Sequence, residues 1–302
     1  MGSGMAEAPW TVSVVIPTVG RAELGRAIES VAAQSYPAAE ILIVSDTADP
    51  IHLPDLPGLR LLTVGPRAGG NAARQHGIES AHGRLVALLD DDDEWFPDHL
   101  SELVTLVQRA NPTDDRWVAS SRVVARRAGG DEVWPDRPIR DDEQLSHYLF
   151  RKSSVKGGVG FMQASTLVFP RSLAMDIPFD PALRFHQDVA WLNALSRSSQ
   201  PPRVFQPESP TVVHHIGNGV AKSITSAKSI AWARQHLDAS DRRTIGDFIA
   251  VHSLNAAKNE DSVRRMWETL RTAFTVGRPG PAATIYACAL IAQVSLRRPG
   301  RG

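Results

Sequence analysis

Four consecutive aspartates, Asp90–Asp93, follow directly on the apolar run Leu85–Leu89. Carboxylates held this close together repel one another unless a positive charge lies among them. Hard oxygen ligands suit Mg²⁺ or Mn²⁺, and such an ion can bridge the oxygens of a diphosphate. The run therefore predicts a divalent-metal site that neutralises charge on a departing diphosphate. A solvated acidic turn is the alternative interpretation.

Two other apolar runs also end in polar residues. Thr18 follows Val12–Ile16 and Pro17, and Asp46 follows Glu40–Val44 and Ser45. Strands that alternate with helices predict a parallel sheet with helices on both faces. Ligands of such sheets bind beyond the carboxyl ends of the strands. We therefore expect the three polar groups to line one rim of the sheet.

The elements that must position these residues can be predicted from apolar spacing and from Gly and Pro breaks. Strands are predicted at Val12–Ile16, Glu40–Val44, Arg60–Val64 and Leu85–Leu89, and helices at Arg21–Ser35, Asn71–Ala81 and Pro97–Arg109. The middle of the chain is less regular, with strands predicted at Val118–Arg126, Ser165–Phe169 and Thr211–Val213. Mobile segments are expected at Arg151–Gly160 and Ala221–Ser229. From Ser226 onward the pattern is helical.

Composition narrows the class of partner. Lys and Arg number 33 and Asp and Glu number 33, so the chain lacks the basic excess typical of a nucleic-acid binder. Cys288 is the single cysteine, which excludes an internal disulfide and favours a reducing, cytoplasmic setting. No signal peptide is expected, because the Val12–Ile16 run is too short.

Two apolar segments near the C-terminus are expected to be helices. Ser262–Phe274 is amphipathic, with Val263, Met266, Trp267, Leu270 and Phe274 on one side. Ala282–Leu296 falls short of the roughly 20 residues of a membrane-spanning helix, and two arginines follow it. A packed C-terminal helix is the main interpretation, and peripheral contact with an anionic membrane surface is the alternative.

A set of short motifs carries a family resemblance. The motifs are Val-Ser-Val-Val-Ile-Pro-Thr at 12–18, Ala-Ile-Glu-Ser-Val-Ala-Ala-Gln-Ser-Tyr-Pro at 27–37, Glu-Ile-Leu-Ile-Val at 40–44, Gly-Gly-Asn-Ala-Ala-Arg at 69–74, and Leu-Leu-Asp-Asp-Asp-Asp-Glu-Trp at 88–95. Together they resemble the nucleotide-binding half of glycosyltransferase family 2. The resemblance implies a GT-A fold, a Rossmann-like, mostly parallel α/β sheet flanked by helices. It also implies metal-dependent, inverting transfer of a sugar from a nucleotide diphosphate sugar, most plausibly UDP-linked, to an acceptor hydroxyl.

A division of the chain into four parts is predicted. Residues 1–10, which include Gly2, Ser3 and Gly4 ahead of Met5, are expected to be a tag and a disordered N-terminus, and 11–115 the nucleotide-sugar-binding half. Residues 116–225 form the acceptor-binding and catalytic half, and 226–302 a C-terminal helical extension.

Donor-binding roles follow position by position from the resemblance. Pro17 and Thr18 form the turn under the nucleoside, and Asp46 accepts a hydrogen bond from the base N3–H. Arg74 forms paired bonds to phosphate oxygens. Ser45 stands where the family usually has a first acid, and Gln75 where it usually has an asparagine.

The metal ligands of the DxD motif can be aligned in two registers. Asp90 pairs with Asp92 in one register, and Asp91 pairs with Asp92 in the other. Asp92 serves in both, so we expect it to be the principal ligand, with Asp90 and Asp91 at the donor. His215 of the His214-His215 pair is expected to complete the shell of Mn²⁺ or Mg²⁺.

Acceptor activation requires a general base in the second half of the chain. The segment 185–191 resembles the family's base-bearing helix start, which makes Asp188 the expected base and Asp180 the reserve. An acid stabilised by a helix N-terminus is the alternative for Asp188. The acceptor pocket is expected to include Phe161, Gln163 and Trp191.

Three classes of function remain open at this stage. A nucleotidyltransferase also has acidic metal ligands, but the segment 17–21 is a poor match to its Gly-rich loop. A nucleotide-sugar-binding module without activity is the non-enzyme alternative. For a transferase, the acceptor could be a saccharide, a lipid-linked sugar, a peptide or a natural product.

Overall fold

The computed structural model describes residues 10–216 and 224–296, in which strands and helices alternate up to Ala110. The strands are β1 (Val12–Thr18), β2 (Glu40–Ser45), β3 (Leu59–Thr63), β4 (Leu85–Leu88), β5 (Glu94–Trp95), β6 (Trp117–Ser120), β7 (Arg122–Arg126), β8 (Glu132–Trp134), β9 (Leu167–Pro170), β10 (Arg203–Phe205) and β11 (Pro210–His215). The helices are α1 (Leu24–Ala32), α2 (Gly70–Ser80), α3 (His99–Ala110), α4 (Leu145–Phe150), α5 (Arg171–Asp176), α6 (Gln187–Ser196), α7 (Ser226–His236), α8 (Arg242–Phe248), α9 (Leu254–Asn259), α10 (Val263–Val276) and α11 (Pro281–Leu296). A short 3₁₀ turn covers Ala164–Thr166, and a π-helical turn covers Ile249–Ser253.

Seven strands form the main sheet, in the order β10-β6-β9-β4-β1-β2-β3. β1 is parallel to both β2 and β4, and β2 is parallel to β3. β9 is inserted antiparallel between β4 and β6. The predicted strands and helices of the first 110 residues are therefore confirmed, as is the mostly parallel sheet.

Sequence explains why β1, β2 and β4 lie at the centre of this sheet. Their residues are mostly apolar, and all but Pro17 are buried. Strands covered by helices on both faces need such continuous apolar runs. Helix α2 packs closely on β1 at Gly77, where a Cβ atom would lie 2.4 Å from Val15 Cγ1.

The single strand predicted at Val118–Arg126 is wrong, because the chain changes sheets at Ser121. β6 belongs to the seven-stranded sheet, whereas β7 belongs to a second sheet of order β5-β11-β7-β8. Buried Ser121 makes the crossing possible, since its Oγ accepts a hydrogen bond from Thr211 N at 3.0 Å. The residues from Val118 to Ala125 are mostly apolar without a Gly or Pro break, so the sequence pattern does not reveal the change of sheets.

The chain forms two compact units that are not consecutive in sequence. The first takes in the described residues up to 133, together with 162–191 and 198–216, and contains the seven-stranded sheet. The second takes in 134–161, 192–197 and the helices from α7 to α11. The chain returns to the sheet after residue 161 because β9 pairs with β4 and β6.

The C-terminal part is helical, as predicted from Ser226 onward. The segment Arg151–Gly160 contains no helix or strand, and residues 221–223 of the other expected mobile segment lie outside the described residues. In the part of the chain that the structure describes, no helix is long and apolar enough to cross a membrane.

Candidate active site

The carboxyl ends of β1, β2 and β4 bring the predicted polar residues together. Thr18 Oγ1 donates a hydrogen bond of 2.6 Å to Asp91 Oδ2, although the two residues are 73 positions apart in the chain. Asp46 N donates to Thr18 O at 2.8 Å. The parallel register of β1 with β2 and β4 fixes these neighbours. The prediction that the three polar groups share one rim is confirmed.

Asp46 is held by the loop that leads into α2. Its Oδ1 accepts from Ala68 N at 2.6 Å, and its Oδ2 accepts from Gly69 N at 2.7 Å. The loop approaches so closely that a Cβ atom on Gly65 would lie 2.0 Å from Asp46 Oδ1. A carboxylate has about four lone-pair positions, so these two bonds leave acceptor capacity on Asp46.

Arg74 is a buried arginine of α2 with acids on two sides. Its Nη2 donates to Asp90 Oδ1 at 2.6 Å, and its Nη1 donates to Gln187 Oε1 at 2.9 Å. Asp188 Oδ1 lies 3.7 Å from Arg74 Nη1. Burial alone would lower the pKa of Arg74, but Asp90 and Asp188 raise it, so its charge is secure. Arg74 Nε is buried without a hydrogen-bond partner, which leaves a donor for a ligand.

Arg21 lies among the aspartates that follow β4. Its Nη1 is 3.0 Å from Asp91 Oδ1 and also donates to Asp92 Oδ2. The nearby Arg26 Nη2 donates to the Asp92 carbonyl at 3.1 Å. These contacts fix the acidic segment from the side of α1, and Asp92 Oδ1 accepts no hydrogen bond from any described residue.

Asp93 has a different role from its three neighbours. It is almost completely buried and accepts from Ser165 Oγ at 2.6 Å and from Gln163 Nε2 at 2.9 Å. His214 Nδ1 lies 2.9 Å from Asp93 Oδ1, and this carboxylate raises the pKa of His214 against the opposing effect of burial. With its oxygens occupied in this way, Asp93 anchors the acidic segment to the neighbouring strands.

The charges around the rim favour a divalent cation. Two arginines, Arg21 and Arg74, lie among four carboxylates. The four carboxylates are those of Asp90, Asp91, Asp92 and Asp188. Burial raises the pKa of Asp92 to about 6, and the other aspartates add to the shift while Arg21 opposes it. The excess negative charge matches a 2+ ion.

The arrangement of donors also decides how such an ion would be held. Among residues 10–216 and 224–296, no three His, Cys, Asp or Glu side chains are grouped to hold a metal ion. Mg²⁺ commonly binds through one or two carboxylates, with substrate phosphates and waters completing its shell. The acidic segment fits that mode, with the free Oδ1 of Asp92 as its available ligand.

His215 is placed next to Glu94 rather than next to Asp92. It ends β11, and its Nε2 lies 3.0 Å from Glu94 Oε1. Its backbone N–H points at Asp93 Oδ1, at 3.3 Å. Metal ligation by His215 would require its imidazole to leave Glu94. This role of His215 stays a prediction.

Asp188 is the second residue of α6 and faces Arg74. Its Oδ2 accepts from Ala164 N at 3.1 Å, whereas its Oδ1 is buried and has no hydrogen-bond partner among the described residues. Burial raises the pKa of Asp188; Arg74 opposes this effect and Asp90 adds to it. His186, just before α6, has a φ of 53°, a conformation that is unfavourable for a bulky residue. Backbone strain of this kind concentrates at functional sites.

The other predicted site residues are placed in different surroundings. Pro17 lies within β1, opposite Val44 of β2. Trp191 is a core residue, since it is 2% exposed, stacks on Phe179 and donates to Ile177 O. Its ring therefore has no face for a sugar.

Two further predictions concern residues outside the acidic rim. Phe161 belongs to the second unit, where it makes an edge contact with Trp134. The reserve base Asp180 is exposed and caps its own turn through Ala182 N.

Sequence reasoning missed three residues that shape this site. Arg21 was noted only as a poor match to a nucleotidyltransferase loop, and Ser165 was assigned to a strand. Gln187, the first residue of α6, accepts a hydrogen bond from Arg74. The sequence did offer a signal for Arg21. It is a cation three residues after Thr18, at the end of a strand predicted to pair near the strand that precedes Asp90–Asp93.

Comparison with known proteins agrees with this geometry. The profile of Glycosyl transferase family 2 matches residues 13–177, which is more than half of the chain. The amylovoran biosynthesis glycosyltransferase AmsB of Erwinia amylovora is 34% identical over 188 residues, which cover 58% of this chain and 60% of AmsB. The putative colanic acid biosynthesis glycosyl transferase WcaA of Escherichia coli K12 is 27% identical over 88% of this chain and 93% of WcaA.

A third relative and a solved structure extend the comparison. The GalNAc(5)-diNAcBac-PP-undecaprenol beta-1,3-glucosyltransferase of Campylobacter jejuni is 24% identical over 62% of this chain and 60% of that protein. The structure of S. aureus TarS 1-349 in complex with UDP-GlcNAc covers 95% of this chain and 92% of its own, with a TM-score of 0.51 at 12% identity. That likeness shows the fold.

The fold is that of the GT-A glycosyltransferases, a mixed α/β sheet flanked by helices with acidic residues at the strand ends. The chain belongs to glycosyltransferase family 2 and is a glycosyltransferase.

Proposed function

We propose that this enzyme transfers a sugar from a UDP-linked donor to an acceptor hydroxyl with inversion at the anomeric carbon, using a divalent metal ion. The donor would lie along the rim formed by Thr18, Asp46 and the acidic segment Asp90–Asp92. UDP is favoured because the TarS neighbour is a complex with UDP-GlcNAc. The remaining acceptor capacity of Asp46 suits a base N3–H.

Arg74 is proposed to hold the donor phosphates. Its charge is kept by Asp90 and Asp188, and its buried Nε has no partner of its own. A guanidinium forms paired, charge-assisted bonds to phosphate oxygens. Arg74 thus links the diphosphate to the base that activates the acceptor.

Asp92, assisted by Asp90 or Asp91, is proposed to ligate Mn²⁺ or Mg²⁺. A bound ion would stabilise the negative charge that develops on the leaving UDP. The uncompensated carboxylates and the raised pKa of Asp92 support this assignment.

Asp188 is proposed to act as the general base. It would take the proton of the acceptor hydroxyl as that oxygen attacks the anomeric carbon from the face opposite the diphosphate. The observation that carries the whole proposal is its Oδ1, a buried carboxylate oxygen without a hydrogen-bond donor, 3.7 Å from the arginine of the donor site. A buried acceptor of this kind is costly to leave unpaired, which suits an atom that waits for a substrate hydroxyl.

The acceptor is proposed to be a hydroxyl of a lipid-linked saccharide. One relative is named as a glucosyltransferase of an undecaprenol-diphosphate-linked sugar, and this name supports a similar acceptor class here. The single cysteine, Cys288, supports a reducing, cytoplasmic site of action.

Donor hydrolysis and transfer test this function. The enzyme would be incubated with Mn²⁺ and a panel of UDP-sugars, and release of UDP would be followed with and without saccharide acceptors. We expect turnover with at least one donor, and a loss of at least a hundredfold in Asp188→Asn. Asp180→Asn is the matched control, since Asp180 is exposed, and should retain activity.

Two results would overturn the proposal. One is UDP release that Asp188→Asn leaves unchanged. The other is release of pyrophosphate from a nucleoside triphosphate without any UDP-sugar turnover, which would identify a nucleotidyltransferase instead.

A further inference from the structure

Helix α10 carries an exposed stripe in which arginines and aromatic residues alternate. Arg264, Trp267, Arg271 and Phe274 are spaced by three, four and three residues, so they share one face of the helix. All four are exposed, Trp267 by 54% and Phe274 by 50%. Arg278, exposed just beyond the helix, continues the spacing.

The core contacts of α10 come from the adjoining side of the helix and do not include these aromatics. Met266, Thr269, Leu270 and Ala273 are the buried residues of the helix. As predicted, these apolar residues lie on one side of an amphipathic helix, but the structure buries Met266 and Leu270 and leaves Trp267 and Phe274 exposed. Two large aromatic side chains therefore stay in water on one face of the helix. An exposed apolar patch of this kind indicates a binding surface.

The neighbouring helix α11 leaves a second apolar stripe exposed. Its core contacts come from Ala283, Ala287, Leu290 and Ile291. The outer residues are spaced as on one helical face and carry no charge: Ile285, Cys288, Ala289, Ala292 and Leu296. Helices α10 and α11 pack against each other within the second unit, so the two stripes belong to adjacent elements.

The charge of this region is strongly positive. Residues 262–298 contain six arginines and one acid, Glu268, in a chain whose formal net charge is zero. Arg264 pairs with Glu268, whereas Arg271 has no ion-pair partner among the described residues. A surface of this composition is complementary to an anionic partner.

We propose that the outer stripes of α10 and α11 bind the surface of an anionic lipid bilayer. Trp267 and Phe274 would enter the headgroup region, where amphipathic aromatic rings are favoured. Arg271 and Arg278 would contact lipid phosphates, and the uncharged stripe of α11 would face the acyl boundary.

Two other occupants fit this surface less well. A second copy of the chain, in a twofold interface, would place this arginine-rich stripe against itself with one glutamate for compensation. A nucleic acid would use the arginines and aromatics but would leave the apolar stripe of α11 in water. A bilayer surface offers phosphates to the arginines and an acyl boundary to the uncharged stripe.

Vesicle co-sedimentation tests the proposal without reference to catalysis, so its outcome is separate from that of the proposed transferase activity. The full chain would be mixed with vesicles of 30% phosphatidylglycerol in phosphatidylcholine, or of phosphatidylcholine alone, at about 0.1 M salt. We expect binding to the anionic vesicles, and about fivefold weaker partitioning for Arg271→Gln. Trp267→Ala with Phe274→Ala should weaken it at least tenfold.

Matched controls use exposed residues elsewhere. Met175→Ala and Arg234→Gln replace an exposed apolar residue and an exposed arginine, and neither should change the binding. Trp267→Phe keeps an aromatic ring at this position, so this variant should bind anionic vesicles almost as well as the native chain. Equal binding to neutral vesicles, or binding insensitive to the three stripe substitutions, would overturn the proposal. The proposal would also be overturned if the stripe residues were needed for dimer formation or for RNA binding and the protein did not bind vesicles.

Discussion

Replacing Asp188 by asparagine removes the proposed base while keeping the shape of the side chain. The amide can still accept from Ala164 N, the contact that now orients the carboxylate at 3.1 Å. Arg74 keeps its bonds to Asp90 at 2.6 Å and to Gln187 at 2.9 Å. Because Arg74 keeps these bonds and loses only a neighbouring negative charge, binding of the anionic donor should not weaken.

The expected loss lies in the chemical step. General base catalysis contributes roughly 10²–10⁴-fold to rate. At about 1.36 kcal/mol per factor of ten, this is about 2.7 to 5.4 kcal/mol of transition-state stabilisation. Initial rates of UDP release at saturating donor and acceptor would measure kcat, and titration with UDP would measure binding separately.

The pH dependence of kcat adds an independent signature. The base works when deprotonated, and burial raises the pKa of Asp188 above the ordinary aspartate value. The rate of the native enzyme should therefore rise with pH through a value higher than that of an ordinary aspartate, and this limb should vanish in Asp188→Asn. A variant that retains kcat within about threefold, or that keeps the same pH limb, would refute the reasoning.

Three further predictions follow from contacts in the first unit. Arg21→Gln removes the cation between Asp91 and Asp92, so the affinity for Mn²⁺ without nucleotide should rise about threefold to tenfold. Electron paramagnetic resonance of free Mn²⁺ would measure this affinity. An unchanged affinity would contradict the idea that Arg21 and the metal ion compete for these carboxylates. Gly65→Ala places a Cβ atom 2.0 Å from Asp46 Oδ1 and so displaces the carboxylate proposed to bind the base. The affinity for UDP, measured by calorimetry, should fall at least tenfold. A variant that binds UDP as tightly as the native enzyme would contradict the role given to Asp46. Glu40 accepts bonds from Ser13, Arg60 and His82, and although burial opposes the effect, these bonds lower its pKa to about 2. Its stabilisation is therefore present above an unfolded pKa of about 4.3 and is lost as pH falls toward 2. In urea unfolding, Glu40→Gln should cost about 1–3 kcal/mol at pH 7 and progressively less below pH 4; a difference independent of pH would contradict this account.

Much of the donor half can be predicted from sequence because its signals are local. The apolar runs of β1, β2 and β4 end at Pro17-Thr18, Asp46 and Asp90, and parallel pairing alone then places these residues at one rim. Trp95, two residues after the acidic segment, is buried, and its Nε1 donates a hydrogen bond to Ser165 O.

The remaining features depend on contacts between distant segments. Arg21 reaches Asp91 across 70 positions, and Asp93 is held by Ser165 and His214, which no spacing rule connects. The change of sheets at Ser121 is hidden because no Gly or Pro interrupts the sequence between β6 and β7.

The burial of an apolar residue also depends on what packs against its helix. Trp267 and Phe274 lie on the apolar side of an amphipathic helix, as the sequence pattern predicts, but both are exposed. The residues that pack inward in α10 lie on the adjoining part of the helix surface. Which side of a broad apolar face is covered is decided by neighbouring helices, and local sequence does not specify them.

Calorimetric titration of UDP in the presence of Mn²⁺ tests most directly whether the acidic rim binds a nucleotide through a metal ion. Asp92→Asn would be compared with Asp98→Asn, whose exposed side chain makes no cap bond at the start of α3. We expect UDP to bind the native enzyme and Asp98→Asn equally, and binding to be lost on chelation of the metal and in Asp92→Asn. Metal-independent binding that Asp92→Asn leaves intact, or no binding of UDP at all, would contradict the account.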